Sequence, residues 1–140
     1  MRNLVYNLLT ISLLGMVSAQ NNYALEDLNS TSSTFGAEVG PSYYGNQVTI
    51  HYFGYYYWGT CTARFDQLNT MYNDLISQDP VLSEQVKLVG IGKSIHLSYL
   101  VNWTSASNVA VCADEFPYQA WTDWDAAQRD LYILDSQGNV

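Results

Sequence analysis

Val48-Thr49-Ile50-His51-Tyr52-Phe53-Gly54-Tyr55-Tyr56-Tyr57-Trp58-Gly59-Thr60-Cys61 is the stretch on which the reading of this 140-residue chain turns. Its first six residues are β-branched or aromatic apart from one histidine, the composition of a strand. Gly54 interrupts the run, Tyr55 to Gly59 form a turn, and a helix is expected to begin near Thr60 or Cys61. Phe65, Leu68, Tyr72 and Leu75 then recur at helical spacing. Asp79-Pro80 follows, where proline commonly stands after a helix end. A strand that passes through a tight turn into a helix with cysteine in its first turn is suited to thiol chemistry. A helix N-terminus and nearby positive charge both favour the thiolate, which is the reactive form.

Beyond that helix, Val86 to Ile91 reads as a short buried parallel strand ended by Gly92. Ile95 to Trp103 predicts a second, short helix with Ile95, Tyr99 and Trp103 inward. Residues 104–115 read as loop, and Phe116-Pro117-Tyr118-Gln119 as entry to a third strand. Thr122 to Gln128 is a short helix or turn, Leu131 to Leu134 a fourth strand, and Asp135 to Asn139 a hairpin turn. Strand–helix–strand followed by a hairpin predicts an α/β fold of three layers, with a mixed central sheet between helices. The hairpin has no returning strand before Val140, so the domain is expected to be incomplete at its C-terminus. Three segments result: a signal peptide over 1–19, an extended lead-in over 20–47 and the domain over 48–140.

The signal reading rests on Arg2, the apolar run from Leu4 to Val17 and the small-residue step Val17-Ser18-Ala19. The run is short for a membrane span, so secretion with no insertion after cleavage is expected. Cleavage there removes one of five Lys/Arg and none of thirteen Asp/Glu. No basic cluster remains, which argues against nucleic acid and anionic membranes as partners. Secretion also brings an oxidising compartment and possible N-glycans. Asn29-Ser30-Thr31 and Asn102-Trp103-Thr104 are sequons, and Asn29, in polar sequence, is the favoured acceptor. With only Cys61 and Cys112, the fold has to rest on its core rather than on disulfides.

A thiol-exchange site needs an attacking thiolate, a resolving sulfur usually two intervening residues later, and a backbone segment that holds the substrate chain. Cys61 occupies the resolving slot. Pro117 supplies an X-Pro step, which takes the cis form at low cost. Trp58 stands in the attacking slot, and indole has no ionisable S–H.

On these residues the region from Gln47 to Val140 resembles the N-terminal domain of selenoprotein P. Val48-Thr49-Ile50 looks like that family's first strand. Trp58-Gly59-Thr60-Cys61 is similar to its Sec-x-x-Cys motif, with Trp58 on the selenocysteine. Phe116-Pro117-Tyr118 resembles its Pro-containing strand entry. Trp124, then Arg129-Asp130-Leu131-Tyr132-Ile133-Leu134-Asp135 and Gly138, resembles its terminal pattern. The resemblance implies a secreted, glycosylated, thioredoxin-like domain with a role in selenium transport or extracellular redox defence. It implies catalytic positions at Trp58, Cys61 and Pro117, with disulfides or peroxides as substrates. No organic cofactor is implied, only an external thiol reductant and selenium as selenocysteine at position 58.

Two readings of Trp58 stand. Selenocysteine is encoded by UGA, which some genetic codes read as Trp, so Trp can be printed where selenocysteine is carried. Alternatively the gene encodes Trp, and the chain is a redox-inactive module that binds an extracellular protein or peptide at an aromatic groove floored by Trp58 and edged by Tyr55 to Tyr57. A structural domain with no site is the third possibility. Cys61 is either a redox sulfur or a buried inert thiol, and a Cys61–Cys112 disulfide stands beside two separate thiols. His51 and His96 lack metal-site spacing. Asp123 and Asp125 read as a helix cap and solvent-facing charge.

Overall fold

The computed structural model describes residues 21–140; the signal sequence expected over 1–19 lies outside them. Two short strands, β1 (Leu25–Glu26) and β2 (Glu38–Val39), pair antiparallel ahead of the main sheet. Then follow β3 (Val48–Phe53), α1 (Gly59–Gln78), α2 (Leu82–Gln85), β4 (Val86–Lys93), a 3₁₀ turn at Ser94–Tyr99 and α3 (Val101–Thr104). β5 (Ala110–Asp114), α4 (Gln119–Asp123) and β6 (Leu131–Leu134) complete the order. The main sheet runs β5-β4-β3-β6. β3 is parallel to β4, β4 is parallel to β5, and β6 lies antiparallel to β3 with Thr49 opposite Leu134 and Tyr52 opposite Leu131. This is the expected mixed sheet.

Strand side chains alternate between two cores, as the pleat requires. Ile50, Tyr52, Leu88 and Val111 meet Cys61, Phe65 and Tyr72 of α1 together with Trp103. Phe53, Val89, Ile91, Cys112 and Leu134 meet Tyr23, Val39, Trp121 and Trp124 on the opposite face. Two glycines in β4 make room for this aromatic packing. A Cβ on Gly90 would stand 2.7 Å from Phe65, and one on Gly92 would stand 2.2 Å from the Tyr56 ring. Both are closer than real carbon atoms pack.

Several local expectations are corrected. The buried stripe of α1 is Cys61, Phe65, Asn69 and Tyr72; Leu68 is half-buried and Leu75 exposed. The helix is rotated so that its flank, not its centre, carries those leucines. Asn69 fits the sheet side because its amide donates to the Ala106 carbonyl at 3.2 Å. Ile95 and Tyr99 are exposed rather than inward, since the chain turns in a 3₁₀ helix kinked at His96 instead of one continuous α-helix. The segment read as loop contains β5, whose outer edge is covered by residues just past β1. Leu28 N–H donates to Val111 C=O at 2.8 Å, and Val111 N–H donates to Asp27 Oδ1 at 3.1 Å. Phe116 to Gln119 is a turn into α4, closed by Tyr118 N–H to Glu115 C=O, and not a strand.

The lead-in has little regular structure yet belongs to the core. Tyr23, Asp27, Asn29, Val39 and Tyr44 are buried. Asn29 is wholly buried: its Nδ2 donates to the Ser107 and Val109 carbonyls at 3.0 and 2.8 Å, and its Oδ1 accepts from the Thr31 hydroxyl at 2.8 Å. The favoured glycan acceptor is therefore a structural cross-link, and of the two sequon asparagines the exposed one is Asn102.

Candidate functional site

β3 delivers the chain to the N-terminal end of α1, and the turn Gly54–Trp58 closes there. Gly54 N–H donates to Ile91 C=O at 3.0 Å and Trp58 N–H to Tyr55 C=O at 3.2 Å. Trp58 is the N-cap residue in extended conformation, and its carbonyl accepts the Thr62 N–H at 3.0 Å. The first turn of α1 holds no acidic side chain, so the positive end of the helix dipole is left open. Trp58 is 47% exposed and Cys61, one turn further, is 0% exposed.

Around Trp58 the aromatic residues form a connected surface. Its indole stands 6.4 Å from the Tyr57 ring, which packs on His96 at 4.5 Å, on Tyr99 at 5.9 Å and in a stack on Tyr55 at 5.8 Å. The three consecutive tyrosines differ in exposure. Tyr56 is fully buried, with its hydroxyl on the Cys112 carbonyl, while Tyr57 is exposed. Burial pushes the Tyr56 hydroxyl well above its ordinary range, and the Cys112 thiol adds to the shift. Lys93 stands over the Trp121, Tyr118 and Tyr55 rings at 4.5, 4.8 and 5.8 Å, a cation–π cluster. Pro117, exposed and joined to Phe116 by a cis peptide bond, adjoins this cluster through Tyr118.

The group that meets the Cys61 sulfur comes from elsewhere. Gln128 Nε2 donates to Cys61 Sγ at 3.4 Å, so the loop before β6 lies against the thiol. That loop is tied to β3 on both sides: Arg129 N–H donates to Phe53 C=O at 2.8 Å, and Phe53 N–H to Asp130 C=O at 2.9 Å. Sequence reasoning missed Gln128 because nothing in its neighbours marks it; only the antiparallel pairing of β6 with β3 brings it to α1. Tyr52 donates to the Cys61 carbonyl at 3.2 Å.

Cys61 and Cys112 are free thiols on opposite faces of the sheet, so the sheet itself stands between them and no bridge can form without unfolding. Burial, with Asp27 adding to it, pushes the Cys112 thiol far up, so it is inert as a nucleophile. His51 bonds Tyr23 and Thr49, and His96 packs on Tyr55 and Tyr57. Asp123 accepts from the Gln119 side chain. The carboxylate that closes a turn here is Asp130, which accepts from Ala127 N–H at 2.7 Å.

No protein-family model and no curated protein matches this chain. Solved structures do. MTB dsbF in its mixed oxidized and reduced forms superposes with a TM-score of 0.61 at 16% identity, over 86% of this chain and 82% of that one. A secreted Mycobacterium tuberculosis disulfide oxidoreductase homologous to E. coli DsbE gives 0.63 at 14%, over 87% and 82%. Yeast Sco1 gives 0.63 at 18%, over 84% and 77%. The chain has a thioredoxin-like fold, and identities this low speak to the fold alone.

Proposed function

We propose that the chain is a secreted oxidoreductase of the selenoprotein P-like type, with position 58 as the attacking site and Cys61 as the resolving sulfur. The observation that carries this reading is the unequal exposure of the two positions, 47% against 0%, across one turn at the start of α1. An attacking group has to meet a substrate in solvent, whereas a resolving thiol has only to reach the bond formed in front of it. With a selenol or thiol at 58, its anion attacks one sulfur of a substrate disulfide and forms a mixed selenenylsulfide or disulfide. One substrate thiolate leaves and takes a proton. The Cys61 thiolate then attacks the atom at 58, the second substrate thiol leaves, and a bond between 58 and 61 remains. The substrate has gained two electrons and the chain has lost two, which an external thiol reductant restores. In this scheme Gln128 orients the Cys61 sulfur, and Pro117 and Tyr118 form part of the substrate-facing rim. Indole at 58 cannot begin the cycle.

The codon at position 58 and the intact mass of the protein decide which residue is carried: UGA with a mass lowered by the Trp-to-selenocysteine difference supports the enzyme. The geometry has its own test. Trp58→Cys is expected to create a dithiol that reduces a protein disulfide with turnover, and adding Cys61→Ser is expected to abolish turnover. A Trp58→Cys protein that never forms a 58–61 disulfide under oxidation would overturn the proposal.

The exposed rings of Tyr57, Trp58 and Tyr99, at 44, 47 and 50%, favour a second reading. Contiguous aromatic surface suits binding to a peptide or protein partner. A UGG codon, with Trp58 fluorescence that responds to an apolar peptide and loses the response in Tyr57→Ala, supports it.

A further inference from the structure

A concavity of about 580 Å³ opens on the α1 face between that helix and β6. Its volume lies in the range of small-molecule sites, about 300–1,000 Å³. At one end stand Arg64 of α1 and Arg129 of the loop before β6. The chain carries five Lys/Arg against thirteen Asp/Glu, yet two of those five meet in this groove. Its walls change character in a fixed direction. β6 runs opposite to β3, and α1 returns opposite to β3 to connect two parallel strands, so α1 and β6 run the same way. Along α1 the lining passes from Arg64 to Leu68 and Met71; along the other wall it passes from Arg129 to Leu131. One end is therefore basic and the other hydrocarbon. Tyr52 floors the groove. Burial and Cys61 raise its hydroxyl, while Arg129 and Arg64 both pull it down, which puts the two guanidinium fields on one spot.

Arg129 itself is held at φ +77°, a backbone region that costs a non-glycine residue and that glycine occupies freely. The loop is fixed there through backbone bonds to Phe53. Asp130 shares the basic end; its Oδ2 accepts from Ala127 N–H, and its charge offsets one of the two guanidiniums, which leaves that end net positive.

We propose that this groove binds a small amphiphilic carboxylate, its head between Arg64 and Arg129 and its hydrocarbon tail along Leu68, Met71 and Leu131. Guanidinium forks pair with a carboxylate bidentately, and the apolar walls supply area for the tail. The groove abuts the Cys61 site, since Tyr52 and Gln128 line it and bond the Cys61 carbonyl and sulfur, but binding there does not rest on thiol chemistry.

The test is calorimetric titration with decanoate below its micelle concentration. One decanoate per chain is expected, with affinity falling as salt is raised. Arg64→Ala and Arg129→Gly are each expected to weaken binding tenfold or more. Arg129→Gly keeps or raises the melting temperature, so loss of binding there cannot be loss of fold. Decanol, with the same tail and no charge, is expected to bind at least tenfold more weakly. Absence of decanoate binding, decanol binding as tightly, or unchanged affinity in both arginine variants would each overturn the proposal. A C-terminally free apolar peptide binding a hundredfold tighter than decanoate would also overturn it, in favour of a protein-docking surface.

Discussion

His51 is fully buried between Tyr23 and Trp124, with Nδ1 bonded to the Tyr23 hydroxyl at 2.6 Å and Nε2 to the Thr49 hydroxyl at 2.7 Å. A neutral imidazole has one donor and one acceptor, so both hydroxyls are matched. Burial lowers its pKa to about 3, below the usual His value of about 6.5. The unfolded chain therefore takes up the proton first. Stability is full above about pH 6.5 and falls as the pH drops toward 3, by on the order of 1 kcal/mol per pH unit. Asp114, raised by burial, acts in the opposite sense at the acid end, so a variant is needed to isolate His51. Urea denaturation between pH 4 and 7 is expected to show a flatter acid limb in His51→Gln than in the parent chain. Asn29 is the other residue whose surroundings fix its role. Asn29→Ala strands the buried Val109 carbonyl, while the Thr31 hydroxyl still reaches the Ser107 carbonyl at 2.6 Å, at a cost of about 1–3 kcal/mol, and mass spectrometry of the protein should find Asn29 without a glycan. A glycan there would mean that the first sequon is not held in the buried position described above.

At the scale of elements, β4 and α1 are fitted to each other through absence of side chain. Gly92 admits the Tyr56 ring and Gly90 admits Phe65 and Trp103. Gly92→Ala is expected to destabilise by about 1–3 kcal/mol through overpacking, read as a lower midpoint in urea with an unchanged slope. A variant as stable as the parent would show that Tyr56 can withdraw at no cost. The strands β3, β4 and β6 were legible because their residue types and length leave one choice. β5 was not: Ala110–Asp114 is short and mostly of small residues, and it became a strand only because β4 offers one edge and the residues after β1 cover the other. The phase of α1 was misread for a related reason. Leu68 and Leu75 are more apolar than Asn69, but the sheet receives Asn69 because the Ala106 carbonyl awaits its amide.

Across the whole molecule the sheet separates two cores, and the two cysteines lie one in each. Both are wholly buried. Thiol titration is accordingly expected to find both slow to react in the native protein and two thiols released in denaturant; one or none in denaturant would mean that a disulfide exists. Among the described residues no helix is long and apolar enough to cross a membrane.

The sequence by itself determined the strand–turn–helix unit around positions 48–61 and the mixed α/β class, because period and residue type act locally and leave few alternatives. It also put Trp58 and Cys61 one helical turn apart, which is a matter of spacing alone. Only the tertiary structure decided what lies against Cys61, that Asn29 is a cross-link, and that Arg64 and Arg129 share a groove. Each of these depends on segments that the register of β6 or the docking of residues 21–47 brings together, and contact across such separations is set by packing of the whole chain rather than by any window of it.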